Sequence, residues 1–293
     1  TIQGEPFDLF DVRDMSLSIR SNLDLGTKNT DGSGQAAVTV TSSKAPGIVT
    51  VSAVSGALSG TVNITQRAGT TDSVEVWASP SSIYADGVRT SVVEATLTDV
   101  NGNLVVDGTT VNFATTAGGI SPASAKTVNG RATAVLTSSV SAADVAVTVT
   151  ATEPVTGKNG TAAVTFVGLK LSLVANPTQL DADGSGTSVI TATLLTAANN
   201  PVSGETISFS ADKGKIGGSG ITDSSGQVAV TYTVPVTVAP AGETATVTAQ
   251  VGSLSQTVAI TLNFAPVMTV SASPTSIEET GGSTTTSTIT ATV

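Results

Sequence analysis

The chain has 293 residues, no Cys, no His and a formal net charge of −10. Without Cys there is no disulfide, thiolate metal site, iron–sulfur cluster or Cys nucleophile. Without His there is no Ser-His-Asp triad, His-ligated metal or imidazole base. Acidity with few Lys and Arg argues against nucleic acid and anionic membranes, which need clustered cations, and it permits calcium. No apolar run approaches the roughly 20 residues of a membrane-spanning helix, and the start does not read as a secretory signal. With 39% hydrophobic and 12% charged residues the chain reads as folded rather than disordered. Its bulk of Val, Thr, Ala, Ser and Gly favours strands and turns over helices.

In chain order, period-two alternation predicts strands over Ala36–Val40, Val92–Thr98, Thr109–Thr115, Ala143–Ala151, Thr187–Leu195 and Thr244–Val251. Val111 and Phe113 share a face, as do Val145, Val147 and Val149. Phe113, Phe166 and Phe209 read as core. Phe7 and Phe10 lie in an aberrant first segment, where they either pack in a core or plug a groove.

The chain repeats itself. Val74–Pro80, Leu171–Pro177 and Met268–Pro274 match, with prolines 97 and 97 residues apart. Thr30–Val40, Val128–Leu136 and Thr222–Tyr232 form a second series, with Gly34, Gly130 and Gly226 spaced 96 and 96 apart. A unit of about 100 residues is the size of an immunoglobulin-like sandwich. An opening strand leads to a Ser/Asn-Pro-x-x-Ile/Leu turn, then to an Asp-Gly step and a Thr-rich strand. In Ser79–Val105, Asn176–Leu194 and Ser273–Val293 this pattern resembles the bacterial Ig-like domain of group 1, the module of intimin- and invasin-type stalks. The resemblance implies an all-β chain of tandem immunoglobulin-like β-sandwiches in a linear array on a bacterial cell surface.

The repeat phase predicts residues 1–69 as an incomplete domain lacking its first two strands and 70–167 and 168–265 as complete domains. Residues 266–293 then supply the first two strands of a further unit. Two readings follow. The last segment donates its strands to the open first domain of another copy, giving a head-to-tail filament. Alternatively, covalently adjacent Ig-like domains supply the same strands. In the first reading Met268, Val270, Ile277, Ile289 and Val293 carry self-association. Short junctions near residues 65–74, 166–171 and 262–268 predict a stiff rod, because they are too short to be flexible tethers.

Several side chains invite chemistry. Asp181 and Asp183, and Asp99 and Asn101, have the oxygen spacing of half a calcium loop, with Thr30–Gly34 a weaker case. The same residues suit tight turns. Trp77, the single Trp, points outward, either as a contact to a neighbouring unit, copy or ligand, or as a ring lying over a domain junction. Glu94, Glu205 and Glu243 are scattered, with nothing to specify a catalytic pair. Lys170 and Lys126 are candidate donors for a Lys–Asn crosslink, and Asn63 and Asn159 open glycosylation sequons. The expected role is therefore non-enzymatic: an extracellular filament or stalk protomer with no cofactor beyond the calcium option. The alternative is an adhesin module binding a host-cell or carbohydrate ligand.

Overall fold

The computed structural model describes residues 16–18, 30–235, 242–263, 268–278 and 286–292. Every regular element among them is a β-strand. The first region holds β1 (Ser16–Ser18), β2 (Gly47–Ser55) and β3 (Leu58–Gln66) in one sheet of order β1-β2-β3. A two-residue turn, Gly56-Ala57, joins β2 to β3, with Gly56 at φ +58°. Glycine leading a two-residue hairpin loop matches the twist of the flanking strands.

The middle repeat runs through β4 (Ser73–Ser79), β5 (Ser82–Tyr84), β6 (Thr90–Thr98), β7 (Thr110–Thr115), β8 (Gly119–Ser121), β9 (Ser124–Lys126), β10 (Arg131–Thr137), β11 (Val145–Thr152) and β12 (Asn159–Val167). Its two sheets have the orders β4-β6-β10-β8 and β5-β12-β11-β7-β9. The third repeat follows with β13 (Leu169–Asn176), β14 (Gln179–Asp181), β15 (Thr187–Thr196), β16 (Thr206–Ala211), β17 (Lys215–Ile216), β18 (Ser219–Ile221), β19 (Gln227–Thr233), β20 (Glu243–Val251) and β21 (Leu254–Asn263). Its sheets, β13-β15-β19-β17 and β14-β21-β20-β16-β18, reproduce the middle repeat strand for strand. Last come β22 (Thr269–Ser273) and β23 (Thr288–Thr292), a two-stranded antiparallel sheet.

Alternation decides which face is buried. On β6, Val93, Ala95 and Leu97 are fully buried; on β15, Ile190, Ala192 and Leu194 hold the same places. In the third repeat they share one core with Ile207, Val247, Ile260 and Leu262 of the facing sheet. Burying a side chain of this size stabilises by roughly 1.5–3 kcal/mol. Phe113, Phe166 and Phe209 are core residues. Phe7 and Phe10 lie outside the described residues.

One expected strand is absent. Residues 36–40 take no ladder, although Val38 and Val40 pack against Val49 and Val51. Their counterparts β10 and β19 pair with β6 and β15. No strand of that kind lies beside residues 36–40 among the described residues, and alternation without a ladder partner does not make a strand.

The chain divides into two compact units. One comprises Thr1–Ser82, Thr90–Thr137 and Ala146–Thr165; the other comprises Ile83–Arg89, Ser138–Val145 and Phe166–Val293. Two segments of the middle repeat, Ile83–Arg89 and Ser138–Val145, thus belong by packing with the third repeat.

Candidate functional site: open sheet faces and their turns

The β22–β23 pair repeats the opening pair of each complete domain. Ala272 lies opposite Ile289 as Ala175 lies opposite Ile190, and Val270 lies opposite Ala291 as Leu173 lies opposite Ala192. The surroundings differ. Ile190 is fully buried, whereas Ile289 is 62% exposed and Val270 is 64% exposed. Met268 and Ile277 are likewise exposed, and Val293 lies outside the described residues.

The β2–β3 hairpin repeats the β20–β21 hairpin. Val49 lies opposite Ile64 as Ala245 lies opposite Ile260, and Val51 opposite Val62 as Val247 opposite Val258. Val49 and Val51 are buried, but Ile64 is 38% exposed where Ile260 is fully buried. In the complete repeat the counterparts of these two pairs meet in one core, Leu173 and Ile190 on one side and Val247 and Ile260 on the other. Each open pair therefore presents one half of a known packing, and exposed apolar rows of this kind favour burial against a partner.

The loops show what their Asp residues do. Asp31 Oδ1 accepts the N–H groups of Ser33 and Gln35, Asp99 Oδ1 those of Asn101 and Asn103, and Asp223 Oδ1 those of Ser225 and Gln227. Gly34, Gly102 and Gly226 close the three loops at φ +75°, +80° and +73°. Asp99 Oδ2 also accepts Gly69 N–H at 2.9 Å, and the Asn103 side-chain amide donates to both oxygens. The Asn103 side chain, then the Gly69 N–H, hold the Asp99 carboxyl down to about 2. Asp183 Oδ1 accepts the N–H groups of Ser185 and Gly186, and these bonds, first from Ser185, lower its carboxyl as well. The two half-loops, Asp181 with Asp183 and Asp99 with Asn101, sit in different repeats, and within them the Asp99 and Asp183 carboxylates accept N–H donors of their own turns. Among the described residues no three acidic side chains gather to hold a metal.

Trp77 stands on the outer face of β4 opposite Glu94 and is 63% exposed, so the ring covers little protein surface. Val92 and Val135, paired with each other on β6 and β10 in the row that begins at Ser79, are also exposed on this sheet. Glu94 pairs with Arg131, Glu205 with Arg89 at 2.5 Å and Glu243 with Lys213 at 2.5 Å, at three separate places. Lys170 Nζ donates to the Ala197 carbonyl and to Asn199 Oδ1 at 3.0 Å, while Lys126 is exposed. Asn63 accepts the Thr50 hydroxyl and is exposed, as is Asn159.

Two buried polar side chains escaped the alternation reading. Glu153 is buried: burial opposes its charge, but the Thr156 hydroxyl and the Val155 and Thr156 N–H groups lower its carboxyl below the usual range. Tyr232 is buried with no hydrogen-bond partner for its hydroxyl, and burial, then Asp212, raises its pKa.

Residues 70–169 match the family model described as Invasin, domain 3, and residues 170–264 match Bacterial Ig-like domain (group 1). No curated protein matches. Among solved structures, the D0-D1 domain of intimin is 23% identical over 66% of this chain and 98% of its own, with a TM-score of 0.30. Invasin, described as a bacterial integrin-binding protein, is 23% identical over 74% of this chain and 45% of its own, with a TM-score of 0.33. FdeC, an Escherichia coli adhesin, is 18% identical over 76% of this chain and 75% of its own, with a TM-score of 0.41.

Proposed function

Residues 70–264 are two bacterial Ig-like domains in tandem, and from that premise we propose that the chain is a non-enzymatic structural protomer of a cell-surface filament or stalk. Its β22–β23 pair seats on the β2–β3 hairpin of the next copy and completes a sandwich there. The observation that carries this reading is the contrast between Ile289 and Ile190, equivalent in register but exposed in one and buried in the other. The receiving face carries the matching exposure at Ile64. A head-to-tail contact does not close on itself, so it builds an open array. Main-chain pairing and buried Val, Ile and Leu surface bear the load, and no bond is made or broken. Covalently adjacent Ig-like domains fill the same face where the array continues within one polypeptide.

Electron micrographs of the purified chain, with and without residues 266–293, test the reading. Fibres from the whole chain and none from the shortened one support it. Fibres that persist after the deletion overturn strand donation by this segment.

Trp77 favours a second reading, an adhesin module. With Val92 and Val135 it forms an exposed aromatic and apolar face, the kind of surface that anchors a protein or carbohydrate ligand. Loss of attachment to host cells or a carbohydrate array in Trp77→Ala, with fibres intact, would favour it.

A further inference from the structure

We infer that the Asp183–Gly184 loop of one copy seats on the Gly56–Ala57 turn of the next, which is a second contact at the joint made by strand donation. The inference rests on the head-to-tail reading above.

The same kind of contact is already made within the second compact unit, which contains both Ile83–Arg89 and the β20–β21 hairpin. Ser253 donates its backbone N–H to the Asp86 carbonyl at 2.7 Å. A Cβ added to Gly252 would lie 2.7 Å from that oxygen and 3.0 Å from Asp86 Cβ. One added to Gly87 would lie 2.9 Å from Ser253 Cβ. Both glycines have positive φ, +81° at Gly87 and +56° at Gly252. Backbone conformation and close approach therefore both demand glycine at each position. Asp86 Oδ1 shapes the loop by accepting the N–H groups of Val88 and Arg89.

Each half of this contact has a counterpart elsewhere in the chain. Asp183 and Gly184 follow Asp86 and Gly87 by 97 residues. Ser185 and Gly186 donate to Asp183 Oδ1 as Val88 and Arg89 donate to Asp86, and Gly184 has φ +83°. Ala182 donates its N–H to the Asn263 carbonyl at the end of β21, as Ala85 does to Val167 at the end of β12. The Asp183 loop therefore lies where the chain leaves the third repeat towards β22. The other half is the Gly56–Ala57 turn, which has the two-residue form of Gly252–Ser253 and φ +58° at Gly56. A Cβ at Gly56 would meet nothing within 4 Å. When β22–β23 of one copy covers β2–β3 of the next, this bare turn takes the place that Gly252–Ser253 holds against Asp86. Ala57 N–H then donates to the Asp183 carbonyl. Gly186 stands where Arg89 stands, so the new contact lacks the Arg89–Glu205 ion pair and is made by main chain.

The chain has no Cys, so each introduced thiol reports one position. Chains carrying Ala57→Cys are mixed with chains carrying Gly184→Cys, or Ser185→Cys to avoid strain at the positive φ, and oxidised. A Gly87→Cys/Ser253→Cys chain reports the contact that exists within one copy. Disulfide-linked dimers should exceed those of a Thr61→Cys control by about ten-fold or more, because seating raises the local thiol concentration. Fibres without the 57–184 or 57–185 crosslink, while the 87–253 disulfide forms, would overturn this contact and leave strand donation standing. Neither fibres nor crosslink would overturn both.

Discussion

Ser188 donates its hydroxyl to the Pro177 carbonyl at 2.7 Å, the same bond that Ser287 makes to Pro274 at 2.5 Å and Ser91 to Pro80 at 2.8 Å. This bond ties the second strand of each opening pair back to the proline that ends the first. Ser188 is buried, and replacing it with Ala removes the donor of this bond. Ser188→Ala should destabilise the second unit by about 1–2 kcal/mol in urea unfolding. Ser287→Ala should leave that stability unchanged and weaken fibre formation, since it loosens the donor pair before it seats. Equal effects of the two substitutions on monomer stability would contradict this division.

The glycines at the Asp86 contact make a second comparison. Gly252→Ala meets Asp86 main chain and should cost about 2 kcal/mol or more, combining φ strain with displacement of that contact. Gly56→Ala has similar φ but open space, so it should cost about 1 kcal/mol from strain alone. Chemical denaturation of the two variants reads the difference. Equal losses would show that the close approach carries no weight.

Acid should weaken the first unit through Asp99. Its carboxyl is held down to about 2 in the folded chain, below the unfolded value near 4. Protons therefore favour the unfolded chain. The stabilisation is complete above about pH 4 and is lost as pH falls through about 2. Asp31, Asp183 and Glu153 are lowered in the same direction. Unfolding followed by the fluorescence of Trp77 should show a flatter decline between pH 4 and pH 2 in Asp99→Asn than in the native chain. A parallel decline would remove Asp99 from the account.

Tyr232 should tolerate loss of its hydroxyl. That oxygen is buried without a hydrogen-bond partner, where Leu136 serves in the middle repeat. Tyr232→Phe should leave stability unchanged or raise it by up to about 1 kcal/mol. A loss of similar size, measured by urea unfolding, would reveal a partner for the hydroxyl.

The repeat and most strands were legible because alternation and turn residues are local signals. The spacing of Pro80, Pro177 and Pro274 placed equivalent strands, and Val93, Ile190 and Ile289 fall at equivalent positions in them. The strand expected at Ala36–Val40 failed because a strand also needs a neighbour, and alternation says nothing of that. The Asp99 and Asp183 loops carry two readings, calcium half-site and tight turn, because the oxygen spacing a cation wants is also the spacing an Asp-led turn uses. Only the positions of the N–H donors show that these oxygens serve turns. The partners of Glu94 and Glu205 lie 37 and 116 residues away, a separation that no local pattern records.

Amide hydrogen exchange as a function of protein concentration tests the strand-donation account at its root. Protection across Gly47–Gln66 and Thr269–Thr292 should rise together as copies meet, while β15 and β20 stay equally protected throughout. Protection of both segments that is independent of concentration would contradict the account.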